Sequence, residues 1–238
     1  MPRHFLEWVG AVYLSQDKVA IEELVNNEDV HSNNQGRFKL PTRLTAKTYL
    51  FRLIYGGTAY SYSVDPNFAD VSTSERFWQR VIDATYEKYT GLRDWHSGLI
   101  DTVVRTGKLV MPTGREYNYK ATTNRRGEKV WPRTTIYNYP VQGLGADIMA
   151  IIRVDLLKQI ELSGLEILPL VTVHDSVVLD TPKANVDKAV EMCFNVFREF
   201  PNRWKALFGC DFNVPLRTEV QIGPNWGNME EVKENYAN

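Results

Sequence analysis

Cysteine is scarce in this chain: Cys193 and Cys210 are the only two in 238 residues, and neither stands near a histidine in zinc-ligand spacing. That argues against a zinc site and against a disulfide framework, and a reducing interior fits. Long apolar runs are missing too. No stretch approaches the ~18 residues that a membrane-spanning helix needs. The opening MPRHFLEWVGAVYLS carries Glu7 inside a short apolar run and lacks a small-residue cleavage site. The expectation is a chain that is neither exported nor membrane-spanning, at work in a cytoplasm. An excess of charge of one sign is also lacking, since 28 Lys and Arg face 29 Asp and Glu for a formal charge of -1. A histone-like nucleic-acid binder is excluded by that balance, so any such contact has to use local patches. What remains, 43% hydrophobic and 24% charged, is an ordinary globular composition for one generous domain or two small ones.

The most informative feature present is RLTAKTYLFRLIYGG. Arg43, Lys47, Phe51 and Tyr55 recur every fourth residue, and Gly56-Gly57 stops the run. A four-residue step turns a helix by about 400°, so the four side chains drift roughly 40° apiece and share one stripe, cationic at one end and aromatic at the other. Thr42 after Pro41 is placed to cap the helix start, where free amides add to the positive charge. Such a face suits a nucleoside triphosphate, with phosphates at Arg43 and sugar and base at Phe51 and Tyr55. An amphipathic helix with a solvated cationic edge and buried aromatics has the same pattern.

Elsewhere the pattern is mixed. Phe5, Leu6, Trp8, Val9, Val12 and Tyr13 have helical spacing, a second helix is expected over Val19 to Val25, and NNEDVHSNNQGR reads as a polar connection. Residues 74–106 read as two helices parted near Gly91, and KLVMPTGREYNYKATTNRRGEKVWPRT as a hairpin region. That region holds a basic patch: Arg115, Lys120, Arg125, Arg126, Lys129 and Arg133 with Tyr117, Tyr119 and Trp131 interleaved, which fits nucleic acid or a solvated turn. NYPVQGLGADIMAIIRVDLLKQIEL gives a long helix with Pro140 near its first turn. Strands over Leu170 to Val173 and Val177 to Leu179 flank His174-Asp175-Ser176, a helix runs from Ala184 to Phe200, and VPLRTEVQIG closes the chain as a strand. The order predicts an α+β fold, not a regular α/β alternation.

Four elements in this order resemble the family A DNA polymerases, the DNA polymerase I family, and its phage members in particular. LEWVGAVYLSQD with EDVH is similar to the end of the motif whose glutamate excludes ribonucleotides, which Glu7 matches, while His31 matches a histidine that reaches the triphosphate. A loop hydrogen bond is the other reading of His31. The stripe resembles the fingers helix: Arg43 and Lys47 would bind the triphosphate, Lys47 would also neutralise charge in the transition state, Phe51 would stack at the incoming nucleotide, and Tyr55 would guard the templating position. Phe in place of Tyr at 51 implies poor use of dideoxynucleotides. TTIYNYPVQGLGADIM resembles the palm helix that follows the primer-template minor groove, where Asn138 and Gln142 would donate to acceptors common to every base pair; capping of the helix by Asn138 is the alternative. The resemblance adds Gly56, Arg115 and Arg133 to the DNA-facing set, although the family's usual arginine site is occupied by Thr134. VTVHDSVVLD resembles the metal-binding hairpin, with Asp175 as ligand and His174 supporting the primer terminus.

What the resemblance implies is an α+β palm with helical fingers: residues 1–40 as the start after the first palm motif, 41–130 as fingers and 131–238 as palm. It implies template-directed DNA synthesis with two Mg2+ ions, primer-template DNA and dNTPs. The family's other catalytic aspartate would fall at Pro2, five residues before Glu7. The expectation is therefore a C-terminal fragment of a split polymerase, lacking thumb and exonuclease and poorly active alone. An N-terminal partner would supply the second aspartate, in the cytoplasm of a phage-infected bacterium. Ser176, where most members have Glu, gives the His-Asp-Ser form of the single-subunit RNA polymerases, which is one alternative; an inactive DNA-binding accessory remnant is another.

Overall fold

A computed structural model describes residues 6–232. Both the expectation resting on Pro2 and the helical pattern beginning at Phe5 touch positions outside that range. The elements are α1 (Leu6–Ser15), α2 (Lys18–Val25), α3 (Val30–Phe38), α4 (Arg43–Ile54), α5 (Ala59–Ser63), α6 (Glu75–Lys88), α7 (Thr90–Thr106), β1 (Lys108–Val110), β2 (Glu116–Asn118), β3 (Thr122–Thr123), β4 (Lys129–Val130), α8 (Arg133–Ser163), β5 (Leu168–Val173), β6 (Ser176–Asp180), α9 (Val186–Phe208), β7 (Val220–Ile222) and β8 (Glu230–Val232). The strands form antiparallel two-stranded sheets, each from consecutive strands. The class is α+β, as the order of patterns predicts. Among the described residues no helix is long and apolar enough to cross a membrane.

The chain divides into two compact units between Leu144 and Gly145, inside α8. In the first, α4 buries Ala46, Tyr49, Leu50, Leu53 and Ile54, spaced as one face of a helix. Tyr49 meets Tyr62 of α5 and Trp78 of α6, with ring centroids 5.1 and 5.9 Å away. Its hydroxyl pairs with Thr85 at 2.8 Å, and its carbonyl accepts from the Tyr62 hydroxyl at 2.9 Å. Burying this face leaves Arg43, Lys47, Phe51 and Tyr55 half-exposed on the other side. The aromatics of the stripe are thus not core residues.

Asp17 fixes two helix starts at once. Its Oδ1 caps α2 through the Ala20 amide at 2.9 Å, and its Oδ2 accepts from the Gly91 amide of α7 at 2.7 Å. A Cβ on Gly91 would meet the Asp17 Cα at 2.7 Å, so glycine permits this approach. The expected break between the two helices falls at Tyr89, just before it.

His96 of α7 is 3% exposed and satisfied at both ring nitrogens. The Ile54 carbonyl can only accept, so Nε2 carries the proton and donates to it at 3.2 Å, while Nδ1 accepts from the Tyr86 hydroxyl at 2.9 Å. Burial holds its pKa down at about 4, with the Ile54 bond opposing. A depressed histidine pKa means that the unfolded chain binds the extra proton. The contribution is therefore whole above the unfolded value near 6.5 and is lost as pH falls through about 4. On the order of 3 kcal/mol is at stake. Urea denaturation at pH 7 and pH 4.5 should show a loss for the wild type that is smaller by most of this amount in His96→Phe. Equal losses would remove His96 from the account.

The second unit holds the later part of α8, β5–β6, α9 and β7–β8. Phe200 and Trp204 of α9 pack on Phe212 with centroids 5.0 and 5.2 Å apart. An ion pair, Arg203 to Asp155 at 3.2 Å, joins α9 to α8.

Several elements differ from the sequence reading. NNEDVHSNNQGR is no connection: Asp29 caps α3, and Val30, His31, Asn34 and Phe38 are its buried face, so tertiary burial overrides a polar composition. Asn138 and Pro140 are well inside α8, which starts at Arg133, so Pro140 is not near the first turn. Ile136, Val141, Leu144 and Ile148 are buried at helical spacing on both sides of the proline, which removes only one backbone bond. Strand β5 begins at Leu168, α9 continues through Pro201 to Phe208, and the closing strand is three residues paired with an unforeseen β8. The hairpin region holds two hairpins, β1–β2 and β3–β4.

Candidate functional site

In the first unit the exposed face of α4 gathers side chains from three other helices. Thr42 caps it as expected, its hydroxyl accepting from the Thr45 amide at 3.0 Å. Arg43 bonds Asp29 through Nε at 2.7 Å. Asp29 also caps α3, accepting from the His31 and Ser32 amides at 3.2 Å. Burial disfavours its charge, but Arg43 and Ser32 outweigh that and hold the carboxyl well below the usual carboxylate range. Sequence reasoning missed Asp29; the signal available was an aspartate placed to cap a helix that composition disguised.

One turn on, the Lys47 ammonium lies 5.8 Å from the Phe51 ring. Burial and the neighbouring Arg43 charge lower its pKa, with Glu7 of α1 pulling the other way. His31 is buried, and its ring lies 6.2 Å from Phe51, behind the stripe. Tyr55 ends the helix. Its pKa is pushed up to about 12 by burial and by the Glu7 charge, against a hydrogen bond from Gln142. Glu7 therefore acts on Lys47 and on Tyr55, the stripe members on either side of Phe51.

Gly56 has φ 85°, and a Cβ there would overlap the Tyr137 ring. Glycine alone lets Tyr137 close over the end of α4, and Tyr137 in turn rests on His96 at 4.5 Å between centroids. Neither aromatic contact could be read from sequence spacing. Asn138 and Gln142 are one turn apart on α8, and an interior position rules out helix capping by Asn138. The Asn138 side-chain oxygen is buried and has no hydrogen-bond partner among the described residues. Because amide oxygen and nitrogen exchange on a flip, this atom is either an unmet donor or an unmet acceptor. Arg115 runs beside Gly143, with its Cδ 3.5 Å from where a Cβ would stand. Arg133 is exposed at the start of α8 and edges a cleft of about 240 Å³ with Arg93, His96 and Tyr137.

In the second unit Val173 pairs with Ser176, so His174 and Asp175 form a two-residue loop at the end of β5–β6. The Ser176 hydroxyl closes it by donating to the Val173 carbonyl at 2.8 Å. All three residues are exposed. His174 has φ 53°, which costs a side-chain-bearing residue about 1–2 kcal/mol. His174→Gly is therefore expected to be more stable than His174→Ala by about 1 kcal/mol, read as thermal midpoints. An alanine variant as stable as the glycine one would mean the turn is unstrained. An exposed aspartate carboxylate fits one ligand of a hard cation. Among the described residues no group of three His, Cys, Asp or Glu side chains could hold a metal by itself. On β5, Leu168, Leu170 and Val171 are exposed, Leu170 at 60%.

A family model described as DNA polymerase family A matches residues 9–228. The DNA polymerase I of Chloroflexus aurantiacus is 23% identical over 225 residues, covering 91% of this chain and 22% of that protein. The thermostable DNA polymerase I of Thermus thermophilus is 27% identical over 230 residues, covering 92% and 26%. The chain thus spans about a quarter of the length of these relatives. Among solved structures, the POL domain of Pol1 from M. smegmatis in complex with DNA primer-template and dNTP is similar in fold, with TM-score 0.73 and 21% identity over 90% of this chain and 37% of that one.

Proposed function

The chain belongs to DNA polymerase family A, and from that premise we propose that it grips the incoming dNTP and supplies one metal ligand in template-directed DNA synthesis. The observation that carries this is the α4 face: two cations and two aromatics turned away from the core, with Arg43 tied to Asp29 and Glu7 acting on Lys47 and Tyr55. In this reading 41–130 are fingers and 131–238 palm. Arg43 and Lys47 hold the triphosphate, and Phe51, backed by His31, meets the nucleotide. Tyr55 and Gly56 border the templating position. Asn138 offers an unmet amide to the minor groove beside Gln142, while Arg115 and Arg133 meet the DNA backbone.

Asp175 would hold Mg2+, with His174 beside the primer terminus. When bound, Mg2+ supplies charge neutralisation at the phosphates and activation of the primer 3′-hydroxyl. Lys47 places a fixed positive charge where the transferring phosphoryl group gains negative charge, and His174 and Asp175 are presented together by a closed turn. Polymerase chemistry needs a further carboxylate, which we assign, with the thumb and any exonuclease, to polypeptide outside this sequence. Support comes from the share of the relatives' length that is spanned and from the exposed apolar residues of β5, which suit cover by further sheet. We infer a phage-type enzyme acting in the cytoplasm of an infected bacterium, as a fragment completed by a separate chain.

Glu7 decides between deoxy- and ribonucleotide. A carboxylate beside an aromatic ring rejects an added hydroxyl by bulk and by leaving it unpaired. The test is primer extension by this chain with and without an N-terminal polymerase fragment, using dATP and ATP. Extension on mixing, with dATP preferred at least a hundredfold and Glu7→Ala cutting that preference at least tenfold, supports the reading. Preference for ATP would make the enzyme an RNA polymerase. DNA binding with no extension under any mixture would leave an accessory binding role.

A further inference from the structure

The loop between β3 and β4 carries two arginines on a fixed arm. Asn124 accepts from the Arg126 and Glu128 amides at 2.9 and 3.0 Å, and its amide donates to the Glu128 carboxylate at 2.8 Å. The Gly127 amide returns to the Asn124 carbonyl at 3.0 Å, and Gly127 takes φ 79°, which glycine adopts without strain. Glu128, the one acid of the loop, is thus engaged by Asn124. Arg125 and Arg126 are exposed, and among the described residues neither has an ion-pair partner. Other exposed cations do find acids, as in Lys108 to Glu116 at 2.9 Å and Lys188 to Glu191 at 3.0 Å. Lys120 and Lys129 on the same segment are exposed too and add charge of the same sign.

A guanidinium fork matches a phosphate, and a loop that is already ordered gives up less entropy on binding. The arm is also close to α8 along the chain. Strand β4 leads through Trp131 and Pro132 into α8, and Asn138 lies about 8 Å along that helix at ~1.5 Å per residue. Adding the residues from Arg133 back to Arg126 and Arg125 at ~3.3 Å each gives a reach of at most about 31–34 Å, no more than about one turn of B-form DNA at about 34 Å. Resting on the family A reading of the α8 face, we propose that Arg125 and Arg126 grip the phosphate backbone of the primer-template duplex, without regard to base sequence.

Binding of a labelled primer-template duplex by the chain, followed over a salt series, tests this. The double variant Arg125→Ala with Arg126→Ala should reduce the slope of log K against log salt by about 2, from ~0.9 per phosphate neutralised. Its affinity at low salt should fall at least tenfold on every duplex tried. Asn124→Ala keeps both charges but frees the loop, so it should keep the slope and lose two- to fivefold in affinity. An unchanged slope in the double variant overturns the proposal, as does an equal loss when Arg76 and Arg80, exposed on α6, are replaced by alanine instead. A loss seen with single-stranded DNA but not with duplex overturns it as well. Wild-type chain that binds no duplex would overturn both the arm and the α8 reading, whereas wild-type binding with an unchanged slope sinks the arm alone.

Discussion

Replacing Asp175 with alanine is expected to lower primer extension by the chain mixed with an N-terminal polymerase fragment at least a thousandfold, while duplex affinity changes less than about twofold. That factor corresponds to about 4 kcal/mol of transition-state stabilisation. Three observations set the expectation. Asp175 is one of only two residues in its loop, its carboxylate faces solvent, and the turn is closed by Ser176 and not by the aspartate. Its removal therefore costs the fold little and the chemistry a charge. Asp175→Asn should be nearly as inactive, because an amide keeps the shape and loses the charge that a cation needs. Single-turnover rates with pre-bound primer-template read the effect directly; a rate within tenfold of wild type would mean that the loop does not hold the metal.

Lys47→Ala should reduce the rate constant of nucleotide addition by about 10²–10³, the usual cost of removing one preorganised electrostatic group. The ammonium is partly buried, beside Arg43 and above the Phe51 ring, and its pKa is lowered first by burial and then by Arg43. Its charge is consequently given up at lower pH than that of an ordinary lysine. The alkaline limb of the pH-rate profile should fall early in the wild type and move upward in Lys47→Arg, whose guanidinium stays charged. Arginine should restore only part of the rate, since a planar fork does not fill the place of a compact ammonium. An alkaline limb that is identical in both would show that Lys47 does not titrate in the rate-limiting step.

Some of this was legible in the sequence because helical spacing is a local property. Arg43, Lys47, Phe51 and Tyr55 share a face by arithmetic, and two β-rich runs around His174-Asp175 leave little choice but a tight turn. What spacing does not carry is who meets whom. Asp29 reaches Arg43 only because α3 and α4 pack together, and α3 itself hid in a polar stretch whose burial of Val30, His31, Asn34 and Phe38 is set by tertiary structure. His96 and Tyr137 come from helices far apart in sequence and meet at the end of α4. The expected hairpin region did not show that it holds two hairpins, and β8 escaped, because two or three residues hold too little pattern to set strand bounds or to distinguish a strand from loop.

The bond between Arg43 and Asp29 uses one nitrogen of a guanidinium that has five N–H groups. An arginine held in this way does not sweep the space above the helix; it is parked, its plane already set. In the proposed role a triphosphate would meet a receptor that need not be assembled, and it would compete with a carboxylate for part of that receptor. Departing pyrophosphate would leave behind an arginine with somewhere to return to, so the site resets without waiting for a new nucleotide.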